Sequence, residues 1–167
     1  AYAIVDKALQ DNPDHLGCIR LACRMHLNAY PNDWEGWRTL LKKHLSIEAE
    51  SGKDPVLFDL GYACCQLEHY READSYFQEL EHRSEGHPRR TGIRKKVTDS
   101  EKPRWFTGIV RRIEGISRAW LFCDALDREL KYSPILQKFT TTEGQTVEFQ
   151  IGLNFRGFLA VELRPIS

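Results

Sequence analysis

Two periodicities divide this chain of 167 residues. Up to about residue 84, apolar positions recur every three or four residues. Val5 and Ala8 do so first, and the series Leu57, Leu60, Gly61, Cys64, Tyr70, Ala73, Phe77 and Leu80 does so most regularly. That spacing gathers side chains on one face of a helix. The breakers Asn12-Pro13, Pro31-Asn32 and Gly52 to Pro55 cut this region, and Asp11, Asp14, Asp33 and Asp54 beside them are residues that end and cap helices. Helices are therefore expected at 2–10, 14–29, 33–49, 55–67 and 70–83. Beyond residue 104 the spacing falls to two, over 107–113, 118–123, 127–132, 145–151 and 156–163. Five antiparallel strands closing into a small barrel are expected there. The fold class is thus α+β with two segregated domains: helices over 1–84, a connecting segment over 85–104 and a barrel over 105–167.

The series from Leu57 to Leu80 resembles a tetratricopeptide repeat, in which small residues let two helices pack closely. The resemblance implies an α-solenoid that offers a surface to a protein partner. Val5, Ala8 and Pro13 resemble the end of an earlier repeat. Pro13 and Pro31 lie only eighteen residues apart, about half the 34-residue period, so the array is expected to be irregular. Trp34 and Trp37, at i and i+3, are the candidate protein-binding residues. The reading of both as core is the stronger one, since a tryptophan at that repeat position is usually buried.

The second region resembles a cold-shock domain, an OB-type barrel, on four stretches in the family's order. Phe106, Thr107, Gly108, Ile109 and Val110 are similar to its first strand. Residues 127–135 are similar to its Asp-Val-Phe-Val-His-Phe-Ser-Ala-Ile. Gly144, Gln145, Val147 and Phe149 match a Gly-Gln-x-Val-x-Phe strand, and Arg156, Gly157, Ala160 and Val161 are similar to the closing strand. The resemblance implies a surface on which aromatic side chains stack the bases of RNA or single-stranded DNA while cations track the phosphates. Set against the family's Lys-Gly-Phe-Gly-Phe-Ile, residues 117–122 put Ala119 and Leu121 at the stacking positions. Trp120 and Phe122 then fall on the opposite parity and are expected inside the barrel. Glu129 and Lys131 stand where the family has phenylalanine and histidine, and a carboxylate there repels phosphate. Arg112 and Ile113 replace a Trp-Phe pair, which leaves Tyr132 as the aromatic retained for stacking.

Formal charge is zero overall, with 24 basic and 24 acidic residues, but it is unevenly spread. Residues 89–118 hold ten Lys and Arg against three Asp and Glu, whereas residues 1–85 hold nine against fifteen. The expected nucleic-acid contacts are therefore Arg94, Lys95, Lys96, Arg111, Arg112, Arg118, Lys131 and Tyr132. The segment 85–104, with Arg89, Arg90 and Lys102-Pro103-Arg104 as well, reads equally as a solvated linker.

Catalytic and metal readings find little support. Cys18, Cys23 and His26 approach ligand spacing, but no second pair completes a four-ligand site. His44, His69, His82 and His87 are isolated, and nothing assembles a nucleophile, a base and an orienting group. No enzyme, cofactor or metal is expected. The five cysteines and the lack of a long apolar run suit a cytoplasmic protein without a membrane partner. The opening Ala1-Tyr2 lies inside a helical pattern, as in a piece of a longer protein whose upstream part is catalytic. The expected function is a non-enzymatic interaction or sensor region, joining a protein-binding solenoid to a barrel that contacts nucleic acid through its basic junction. The alternative is a purely structural or oligomerising tail.

Overall fold

Asp33 accepts a hydrogen bond from the Gly36 N–H at 3.0 Å, and His15 accepts one from the Cys18 N–H at 3.1 Å, so the first two of the three breaker segments end in a capped helix start. The computed structural model describes residues 2–83, 92–99 and 102–166. Its helices are α1 (Tyr2–Asp11), α2 (Leu16–Ala29), α3 (Trp34–Ile47), α4 (Lys53–Gln66) and α5 (Tyr70–Arg83), with a 3-10 turn at Glu50–Gly52. Each packs on the next. The core holds Ile19, Leu41, Leu57, Leu60, Phe77 and Leu80, all essentially inaccessible. Gly61 sets the approach of α4 to α5: a Cβ there would lie 2.7 Å from Phe77 Cζ, closer than carbon atoms pack. Glu48, at the end of α3, accepts from Arg20 of α2 at 2.6 and 2.9 Å and pairs with His44 at 2.8 Å.

The chain divides into two units, Ala1–Arg83 and Ser84–Ser167. In the second, β4 (Trp105–Glu114), β5 (Arg118–Cys123), β6 (Arg128–Tyr132), β7 (Thr146–Asn154) and β8 (Gly157–Pro165) form a ring in the order β7-β4-β5-β6-β8, closed by β8 on β7. The helices and the closed five-stranded barrel agree with the α+β expectation. One pairing departs from it: β6 and β8 run parallel, with Lys131 opposite Leu159. Strand length and alternation carry no signal of direction, so the sequence pattern could not expose this. Val110, Leu121, Val147, Phe149, Ile151 and Leu153 fill the interior. Gly108 lets β4 and β5 meet, because a Cβ there would stand 2.5 Å from the Phe122 carbonyl oxygen.

Part of the basic segment belongs to the barrel. β1 (Lys95–Lys96) pairs with β7 through Lys95–Leu153 and Lys96–Gly152, and β2 (Thr98–Asp99) pairs with β3 (Lys102–Pro103). Val97 is fully buried and its N–H donates to Ile151 O at 3.1 Å. Ile93 covers Gly152. Two apolar residues among so many charges gave no periodicity to read, yet they suffice to seat residues 92–97 on β7. Arg89 and Arg90, and His87, lie outside the described residues.

Candidate nucleic-acid interface

Strand register decides what the barrel offers to solution. Val110, Leu121 and Leu130 form an inward row across β4, β5 and β6, and Ala119 with Tyr132 points inward beside it. Side chains alternate across a strand, so the intervening rows face outward. One holds Arg112, Trp120 and Lys131; the other holds Ile109, Phe122 and Glu129. Trp120 and Phe122 are therefore partly exposed on the outer face rather than inside the barrel, which corrects the parity read from the sequence. The run Ala119 to Cys123 is apolar on both faces, so alternation alone could not tell inside from outside. The interior took its smaller members.

Tyr132 is the converse case. It is 3% exposed, and its hydroxyl shares a 2.7 Å hydrogen bond with Thr141 Oγ1. Burial pushes its pKa up, opposed by the Thr141 contact. Its ring is not presented to solvent, so the side chain expected to stack a base is a core residue.

The cations fall in two groups. A bulge between Val110 and Arg112 turns Arg111 and Arg112 outward together. Arg112 Cζ lies 4.1 Å from the Trp120 ring centroid, and Arg111 Cζ lies 5.5 Å from that of Phe122. Lys131 flanks Trp120 from β6, and Arg118 opens β5 opposite Glu114. Arg94, Lys95 and Lys96 instead lie beside β7. Arg94 covers Phe155 at 4.3 Å, and Lys96 Nζ donates to Gln150 at 2.9 Å. The structure thus joins Arg111, Arg112 and Lys131 to two aromatic residues, sets Arg118 opposite Glu114 at the end of β5, and keeps the basic triplet apart from them.

At the end of this face, the β4–β5 turn meets the segment after β6, where Ile135 N–H donates to Ile116 O at 3.0 Å. Ile116, Ile135 and Leu136 are 74, 64 and 79% exposed, beside a shallow cavity of about 450 Å³. Single isoleucines in separate loops gave no sequence pattern from which to foresee this apolar edge.

In the helical unit Trp37 is buried, and its Nε1–H donates to the Cys23 carbonyl at 2.8 Å. It is core, so the protein-binding expectation does not hold for its side chain. Trp34 is partly exposed and meets Trp37 and Tyr62 edge to face at 6.0 and 5.5 Å. All five cysteines are free thiols. Burial pushes Cys23 and Cys64 up to about 12, so neither is a ready nucleophile. Among the described residues, no group of His, Cys, Asp and Glu is arranged to hold a metal ion, and no helix is long and apolar enough to cross a membrane.

No family model and no curated protein matches the chain. Among solved structures, apo-CusF (residues 6–88) from Escherichia coli is similar over 44% of this chain and 100% of its own, at 14% identity and a TM-score of 0.31. That likeness is too distant to assign a fold or a function.

Proposed function

We propose that this chain is a non-enzymatic interaction region whose barrel binds RNA or single-stranded DNA on the outer face of β4, β5 and β6. The observation that carries the reading is the outward Trp120 and Phe122, two residues apart on β5 and flanked by Arg111, Arg112 and Lys131. Aromatic faces at that spacing stack successive bases, and the neighbouring cations meet phosphates. In OB-type barrels, the face of the second and third strands is the one that takes oligonucleotides, and β5 and β6 are the second and third strands of this barrel. With the parity corrected, Arg118 to Cys123 resembles the cold-shock Lys-Gly-Phe-Gly-Phe-Ile in phase, so Trp120 and Phe122 take the places of its two phenylalanines. Arg112 need not leave for a base to bind, since a guanidinium plane is itself a stacking surface. The helical unit, with its resemblance to a tetratricopeptide repeat, serves in this reading as the protein-docking half.

The test is a fluorescence-anisotropy titration of a labelled oligothymidine of about ten nucleotides, within the reach of one such barrel. The parent should bind, and Trp120→Ala should weaken binding by roughly 1–3 kcal/mol, about five- to 150-fold in Kd. No binding by the parent at low salt would overturn the proposal.

A further inference from the structure

The two aromatic positions on β5 differ in their cross-strand partners. Trp120 stands between Arg112 and Lys131, which carry only donors. Phe122 is paired with Ile109, which offers neither donor nor acceptor, and with Glu129, whose carboxylate only accepts, while the Arg111 guanidinium lies 5.5 Å from its ring centroid. Directly paired residues on one face hold their Cβ atoms about 5 Å apart, so the Glu129 carboxylate reaches the edge of a ring stacked on Phe122. Glu129 is exposed, and its carboxylate has no hydrogen bond or ion pair with another described residue. Glu129 stands on a face where a strand of phosphates is otherwise expected, and where a carboxylate repels them.

Resting on the nucleic-acid reading above, we infer that Glu129 is a specificity-determining residue that selects guanine at the Phe122 position. An acceptor-only fork requires two adjacent donors. Guanine supplies them on its Watson–Crick edge as N1–H and the N2 amino group. Uracil and thymine have one N–H flanked by two carbonyl oxygens, which face the carboxylate with like charge. Cytosine and adenine have an amino group next to a ring-nitrogen acceptor. Single-stranded bases present these edges freely once unstacked from one another. At the Trp120 position, Arg112 and Lys131 meet carbonyl oxygens or phosphate and make no such demand. The pairing is therefore one tolerant position beside one selective one.

The test uses the full chain and three labelled oligothymidines: one unmodified, one with a single central deoxyguanosine, and one with deoxyinosine there, which keeps N1–H and lacks the amino group. The parent should bind the guanosine oligomer about tenfold more tightly than the unmodified one, as a bidentate base contact does. The inosine oligomer should fall between. Glu129→Gln, an exposed isosteric change, should bring all three within about twofold, while oligothymidine binding holds or improves because a phosphate-repelling group is gone. Equal binding of the three by the parent, or discrimination that survives Glu129→Gln, overturns the inference and leaves the stacking face standing. Binding of none overturns both.

Discussion

The Arg112 guanidinium lies over the Trp120 indole, 4.1 Å from Cζ to the ring centroid, on the outside of the barrel. A cation held on an aromatic face contributes about 0.5–1 kcal/mol at an exposed site, too little to explain why a small barrel leaves so large a side chain outside. A ring there has a surface to offer. The Phe122 ring, two residues on, has Arg111 at 5.5 Å.

Tyr132 and Trp120 should answer to different assays. Tyr132→Ala removes a buried ring and leaves Thr141 without its partner, so it should destabilise the barrel by about 3–5 kcal/mol in urea denaturation. Trp120→Ala should cost about 1 kcal/mol or less there while weakening oligonucleotide binding. A Tyr132→Ala barrel of unchanged stability would contradict the assignment of that residue to the core.

Salt separates the two basic groups. Each phosphate neutralised on a single strand contributes about 0.7 to the slope of log K against log salt. Changing Arg111, Arg112 and Lys131 together to Gln should reduce that slope by about 2. The same change at Arg94, Lys95 and Lys96 should leave it nearly unaltered, because they sit beside β7 rather than on the aromatic face. A larger effect from the second set would move the interface to the strand β1.

These contrasts mark what the sequence made legible. The bounds of β5 were legible, since Arg118 and Cys123 delimit both the expected and the observed strand. Which face of β5 looks inward was not, because Ala119 to Cys123 offers apolar side chains to both sides. The same limit misplaced Tyr132, whose hydroxyl suits a surface as well as it suits Thr141. Residues 93–97 were hidden for another reason: Ile93 and Val97 pack on β7 through a contact far away in sequence, while their neighbours are charged. In the helical region the breakers around Pro13, Pro31 and Pro55 were strong local signals, and the helix order follows them.

Gly61 tests the packing of the last two helices. A methyl group there would meet Phe77 Cζ at 2.7 Å and Cε2 at 2.8 Å. Overpacking of this kind costs about 1–3 kcal/mol, more than the roughly 0.5–1 kcal/mol that alanine gains over glycine within a helix. Gly61→Ala should therefore lower the midpoint of the helical transition, followed by circular dichroism. A raised midpoint would place the α4–α5 contact elsewhere.

Acid should loosen the contact between α2 and α3. Hydrogen bonds from Arg20, and then from His44, hold the Glu48 carboxyl down at about 2, below the ordinary value near 4.5. A carboxyl lowered in the folded state binds more protons when unfolded. Its stabilisation is fully present above the ordinary value and is lost as pH falls towards about 2. Urea midpoints of the helical transition should fall through that window in the parent and less steeply in Glu48→Gln. Parallel pH profiles would remove Glu48 from the account.

The central claim, that nucleic acid lies on the outward aromatic face of β5, is tested most directly by mapping backbone amide shifts while the chain is titrated with oligothymidine. The account predicts that the perturbed amides cluster in β4 around Ile109 to Arg112, in β5 around Trp120 and Phe122, and in β6 around Lys131. Shifts confined to residues 92–104 and β7, or no saturable shift at low salt, would contradict it.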